Sequence, residues 1–149
     1  METFSRGTLD PWWVTGFCDG EASFTFSRSN ANVSLYFAVK LTATDEPILL
    51  RLQDYFGVGK IYNVRARAPT ERAGATKTAS LYRVTKHDEL PLVTRHFDAY
   101  PLQTEKAGAY KIWRAMVEIK ATYRGRDGEA LKELAYSLSA AQARNRSWR

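Results

Sequence analysis

The chain is predicted to fold as an α+β domain in which a four-stranded antiparallel sheet carries its helices on one face, and three features of the sequence predict it. Residues 22–29 and 34–41 alternate apolar and polar side chains across a short polar turn, as a hairpin does. A second pair of strands follows at 59–67 and 78–86. Helical patterns precede each pair and close the chain, so the order is helix, two strands, helix, two strands, helices, which puts the helices together on one side of the sheet.

The elements follow in order. Asp10 before Pro11 reads as an N-cap with proline at the first helical position, and the run from Trp12 to Cys18 is apolar almost all round, as in a helix buried on every side. In the first strand Phe24 and Phe26 oppose Ser23, Thr25, Ser27 and Ser29, giving one buried and one wet face. Asn30, Ala31 and Asn32 make the turn, after which Leu35, Phe37, Val39 and Leu41 alternate with Ser34, Tyr36, Ala38 and Lys40. Asp45 and Glu46 ahead of Pro47 start a second helix whose stripe of Ile48, Leu49, Leu52 and Phe56 stops at Gly57. The second strand pair is joined by a Pro/Gly/Ala/Thr-rich loop, 68–77, and helices are expected at about 88–97, 105–122 and 128–141, with a frayed tail from Arg144. All 149 residues are expected to form a single domain.

Charge narrows the partner. Twenty-two Lys and Arg against 16 Asp and Glu leave a net charge of +6 and a pI near 9.5, which favours a polyanion. The excess is concentrated between Gly57 and Lys86, where Lys60, Arg65, Arg67, Arg72, Lys77, Arg83 and Lys86 meet Glu71 as the sole acid. Cys18 is the only cysteine, which excludes an intrachain disulfide and a multi-cysteine zinc site, and its apolar neighbours make it a packing residue. No run of the ~18 apolar residues that a membrane span needs occurs, and Met1 to Arg6 lack the apolar stretch of a secretion signal, so an intracellular site, cytoplasm, nucleoid or organelle matrix, is expected.

The chemistry-bearing segment is Trp13-Val-Thr-Gly-Phe-Cys-Asp-Gly-Glu-Ala-Ser-Phe24, where an apolar helix ends in carboxylates as a strand begins. Asp19 and Glu21 flank Gly20, and a hard cation such as Mg²⁺ can be held there by one carboxylate, a carbonyl and waters. Acidic residues at helix ends are also common as caps, and Asp-Gly-Glu alone does not decide between the two. Thr15 and Gly16 are small enough to let another helix pack closely. His87 and His96 stand apart from other ligand types and read as structural or surface residues, while Trp12, Trp13 and Trp113 read as core or interface.

Residues 14–22 resemble the nine-residue helix motif of the LAGLIDADG homing endonucleases, and Tyr55 to Tyr62, His96 to Lys106 and Ala135 to Leu138 look like the family at corresponding places. The resemblance covers nearly the whole chain and implies the αββαββα-type LAGLIDADG fold, its four-stranded sheet bent into a saddle along DNA. It implies that Glu21 is the catalytic metal-binding carboxylate with the Gly20 carbonyl as second ligand, that Asp19 is structural, and that Lys106 is an active-site lysine. Mg²⁺ is the implied cofactor, with Mn²⁺ or Ca²⁺ able to take its place in a crystal. Because one motif is present, the resemblance implies a homodimer joined through Trp13, Thr15, Gly16, Phe17 and Gly20, intron-encoded, cutting both strands of a long near-palindromic double-stranded DNA target across the minor groove. The contacts to DNA are expected from Ser27, Asn30, Asn32, Ser34, Tyr36, Lys40, Lys60, Tyr62, Arg65, Arg67 and Arg83, with Arg72 and Lys77 gripping the flank. Three positions depart from the family: Ala22 replaces the last motif glycine, and Leu41 and Asp45 stand where relatives often place a glutamine and a basic residue that organise water. They keep a second reading in play, a catalytically weak DNA- or RNA-binding relative such as an intron maturase.

Overall fold

A computed structural model describes residues 8–29, 32–71, 74–75, 77–122 and 128–146. The expected turn residues Asn30 and Ala31 and the loop residue Arg72 lie outside the described residues. Helix α1 (Pro11–Glu21) runs directly into β1 (Ala22–Ser29), followed by β2 (Asn32–Thr42), a 3-10 turn (Ala43–Asp45) and α2 (Glu46–Phe56). Strands β3 (Lys60–Val64) and β4 (Ala79–Val84) precede α3 (Leu90–Ala99), α4 (Lys106–Thr122) and α5 (Glu129–Arg146). The sheet is antiparallel throughout, in the order β1-β2-β4-β3.

Register sorts the side chains. Phe24 lies opposite Phe37, which lies opposite Val84, while Val39 pairs with Tyr82 and Tyr82 with Ile61, so these all point to one face. That face meets Leu49, Leu52, Phe97, Trp113 and Leu138, all essentially sealed from solvent. Phe24 sits at its centre, with the rings of Phe37, Phe97, Tyr110 and Trp113 5.0–5.4 Å away, mostly edge to face. Burying a side chain of this size contributes about 3 kcal/mol.

The N-cap of α1 forms as the sequence predicts: the Asp10 carboxylate accepts from the amides of Trp12 and Trp13 at 2.9 and 3.1 Å. The helix is not buried all round, however. Val14, Thr15 and Cys18 are covered, whereas Trp12 and Trp13 remain 54% and 43% exposed and Gly16, Gly20 and Glu21 are open.

Other boundaries shift for local reasons. Strand β3 ends at Val64 rather than Arg67 because β4, its partner, begins at Ala79 opposite that residue. The α3 helix starts two residues late, since the amides of Glu89 and Leu90 both turn back on the Lys86 carbonyl. Helix α5 runs past Ala141 to Arg146, and Gln142 donates to the Phe24 carbonyl at 3.0 Å. With the Trp113 indole donating to the Thr25 carbonyl at 2.9 Å, two carbonyls on edge strand β1 are satisfied from the helical layer. Between α2 and β3, Gly59 has φ +92°, and a Cβ there would come 2.6 Å from the Tyr82 ring, so no other residue fits.

Candidate functional site

The C-terminal tip of α1 gathers the charged groups. Asp19 is fully used: it accepts from the Gln103 amide at 2.7 Å and from the Thr104 amide and hydroxyl at 3.2 and 2.6 Å. It therefore ties the tip of α1 to the segment that leads into α4. Lys106, in the first turn of α4, points its amine at the same tip and donates to the Cys18 carbonyl at 3.2 Å. Glu21 is different: it is exposed and makes no hydrogen bond or ion pair among the described residues. Gly20 beside it is exposed too, and a Cβ added there would meet nothing within 4 Å. An exposed carboxylate beside an exposed glycine offers the kind of oxygen donors, carboxylate and backbone carbonyl, that a hydrated Mg²⁺ takes. No group of three or more His, Cys, Asp and Glu that could hold a metal occurs among the described residues, and with Asp19 engaged by Gln103 and Thr104, Glu21 is the carboxylate left open at this tip.

Two neighbours are excluded from this chemistry. Burial pushes the Cys18 thiol up to about 12, so it stays protonated and packs. Ala22 adopts φ −85° and ψ 157° and is almost fully buried, so the methyl that replaces glycine is unstrained and faces the core rather than the tip. Leu41 packs half-buried against the core on the helical side, and Asp45 is exposed in the 3-10 turn.

Thr15, expected at a helix–helix seam, is turned into its own chain. Its hydroxyl donates to the Tyr100 carbonyl at 2.8 Å and lies 2.9 Å from His96 Nε2, whose Nδ1 is 2.8 Å from the Tyr55 hydroxyl. Trp13, Gly16 and Gly20 remain exposed, whereas Phe17 is half-buried against the core of its own chain, its ring stacked 5.0 Å from that of Trp13.

The second component is the uncovered face of the sheet. The register aligns Ser29 with Asn32, Ser27 with Ser34 and Thr25 with Tyr36 on β1 and β2. A row of Ser23, Ala38, Arg83 and Lys60 crosses all four strands, and Lys40, Leu81 and Tyr62 form the next. Ser27, Asn32, Ser34, Tyr36, Lys40, Lys60, Tyr62 and Arg83 thus share one surface, as expected. Arg65 and Arg67 lie past the end of β3 and are exposed, as is Lys77 in the connecting loop. The same face carries Ser23, Thr25, Ser29 and Thr42, which strict alternation already marks, and Leu81, Val64 and Ala79, which only the register reveals. None of the four strands contains an acidic residue. The Arg83 guanidinium lies over the Tyr36 ring, 3.8 Å from its centre.

These residues build a one-sided α+β sheet with a basic, hydroxyl-rich open face, entered from a helix that ends in an exposed carboxylate. The sequence pattern of the LAGLIDADG endonucleases matches residues 14–117, and the chain belongs to that family. It is 34% identical over 128 residues to an uncharacterized 50.9 kDa protein in ND4 intron 1 of Podospora anserina, covering 79% of this chain and 26% of that one. It is 30% identical over 135 residues to the probable intron-encoded endonuclease 2 of Neurospora crassa, covering 85% and 28%. Among solved structures, the I-SmaMI homing endonuclease bound to cleaved DNA superposes with a TM-score of 0.73 at 29% identity, over 89% of this chain and 43% of that one. The I-AabMI meganuclease bound to uncleaved DNA gives 0.72 at 27%, over 85% and 44%. I-TnaI, at 22% identity and a TM-score of 0.72, shares the fold over 92% of this chain and 98% of its own. The chain thus spans about a quarter of the length of these curated relatives and under half of the two DNA-bound structures. Among the described residues no helix is long and apolar enough to cross a membrane.

Proposed function

We propose that the chain is the cutting unit of a site-specific double-strand DNA endonuclease, a homing endonuclease that works with a divalent cation and pairs with a second copy of its fold. The observation that carries the reading is the free Glu21 carboxylate at one end of an open sheet face that holds cations and no acids. A phosphodiester backbone is attracted to that face by counterion release, and the hydroxyls, amide and guanidinium on it are groups that read base edges.

Glu21 and the Gly20 carbonyl would hold Mg²⁺. When bound, the cation supplies an activated water and neutralises charge on the phosphate. Lys106, steered by the Cys18 carbonyl, keeps a positive charge beside the attacked phosphate as negative charge builds there. Asp19 keeps α1 and the start of α4 in a fixed relation, so that Glu21 and Lys106 approach one phosphate together. Each copy delivers one such set to one strand, and a twofold arrangement of two copies calls for a near-palindromic target.

A binding-only reading, the maturase alternative, is favoured by one observation: Leu41 is packed on the core and Asp45 is an acid, so neither offers the water-ordering amide or cation. The two readings separate on a duplex made by joining the sequences that flank the open reading frame. With Mg²⁺ the wild-type chain should cut both strands, and Glu21→Gln should lose at least about 100-fold in rate while its affinity stays within a few-fold. Tight binding by the wild type with no cutting at any Mg²⁺ or Mn²⁺ concentration would establish the alternative.

A further inference from the structure

We propose that Arg83 is a guanine-reading residue held ready by Tyr36, and that this pair sets base choice at one position of the target. The proposal rests on the DNA-recognition reading above and goes beyond it by assigning a base to a side chain. Arg83 lies on β4, an inner strand flanked by β2 and β3, so it stands in the body of the open face rather than on its rim. Its strand partner on β2 is Ala38, whose small side chain leaves room for the guanidinium to reach diagonally onto the Tyr36 ring, 3.8 Å from the ring centre.

That stack fixes the plane of the fork. The Nε atom is sealed from solvent and has no hydrogen-bond partner, so it is committed to the stack and the terminal nitrogens Nη1 and Nη2 are the ones left for a ligand. Directly across the other ladder is Lys60, a like charge that an antiparallel pair disfavours, and no strand residue is acidic to offset it. An anionic, hydrogen-bond-accepting ligand offsets that repulsion and engages the terminal nitrogens. Lys60 suffices as a point charge for phosphate, whereas a planar fork with its orientation already set matches the paired acceptors O6 and N7 of guanine. Ordering the fork before binding also removes the entropy cost that a free arginine would carry into the contact.

The test selects duplexes from a randomised DNA library at low salt and without divalent cation, using wild type, Arg83→Lys and Tyr36→Leu, each checked for its fold by circular dichroism. The wild type should return a motif with a strong guanine column. Arg83→Lys keeps the charge and loses the fork, and it should flatten that one column, with a loss of discrimination of about tenfold or more, while the other columns persist. Tyr36→Leu should blur the same column to a smaller degree. A motif unchanged in Arg83→Lys, with affinity lowered alike for every sequence, would make Arg83 a phosphate contact and overturn the proposal alone. A wild type that enriches no motif would overturn the site-recognition reading itself, and this proposal with it.

Discussion

Proton counting at His96 defines its state. Thr15 has one hydroxyl proton and gives it to the Tyr100 carbonyl, so toward His96 Nε2 it can only accept, which places the ring proton on Nε2. Nδ1 must then accept from the Tyr55 hydroxyl, and the chain of donors runs from α2 through α3 to α1 without a free proton. Burial lowers the His96 pKa from 6.5 to about 4, in keeping with a neutral ring. The sign follows from linkage: between pH 6.5 and about 4 the unfolded chain binds a proton that the folded chain refuses, so stability falls as pH drops through that window. A second proton on the ring would also have to sit on Nδ1 and turn the Tyr55 hydroxyl away. Urea midpoints at pH 7 and pH 5 should therefore differ more for wild type than for His96→Gln, which has no titratable ring. Equal pH dependence in the two proteins would show that His96 does not report this equilibrium.

At the scale of elements, Asp19 is the joint between α1 and α4. Removing it leaves the Gln103 and Thr104 amides and the Thr104 hydroxyl without their acceptor, so Asp19→Ala should lower stability by about 1–2 kcal/mol, read from urea denaturation. If Lys106 acts with Glu21, cutting by this variant should slow by more than its affinity falls, because the lysine is carried on the helix that Asp19 anchors. Rates and affinities lowered in equal proportion would detach Lys106 from the chemistry. The limits of sequence reading show at the same scale. Strand β1 and the cap of α1 were legible because alternation and an Asp-Pro step are local signals. The end of β3 was not, since it depends on where β4 begins, and the loop between them is long enough to allow several registers. Glu21 needed the family resemblance, as Asp-Gly-Glu alone is indistinguishable from a cap. The Thr15–His96 bond joins residues 81 apart, and the Arg83–Tyr36 stack depends on a register shared by two strands, so periodicity could reveal neither.

For the whole molecule, the outer side of α1 poses a question that its own chain does not answer. Gly16 and Gly20 each cost roughly 1 kcal/mol relative to alanine inside a helix, yet a Cβ at either position would meet nothing within 4 Å. Trp12 and Trp13 leave large apolar surface in water beside them. Small residues that nothing in the fold requires, next to half-exposed tryptophans, are accounted for when a second α1 packs on this side at short distance. That second helix can belong to another copy of the chain or, as the size of I-SmaMI and I-AabMI illustrates, the matched fold can occupy under half of one longer chain. Sedimentation equilibrium at micromolar concentration distinguishes these: the isolated chain should run as a dimer, and Gly16→Leu should run as a monomer with unchanged far-UV circular dichroism, since leucine favours helix and has room on its own chain. Glu21→Gln should stay dimeric, because its side chain lies at the tip and outside the packed stripe. A wild-type chain that remains monomeric with and without target duplex would exclude assembly from two identical copies and require the second carboxylate to come from a different polypeptide segment.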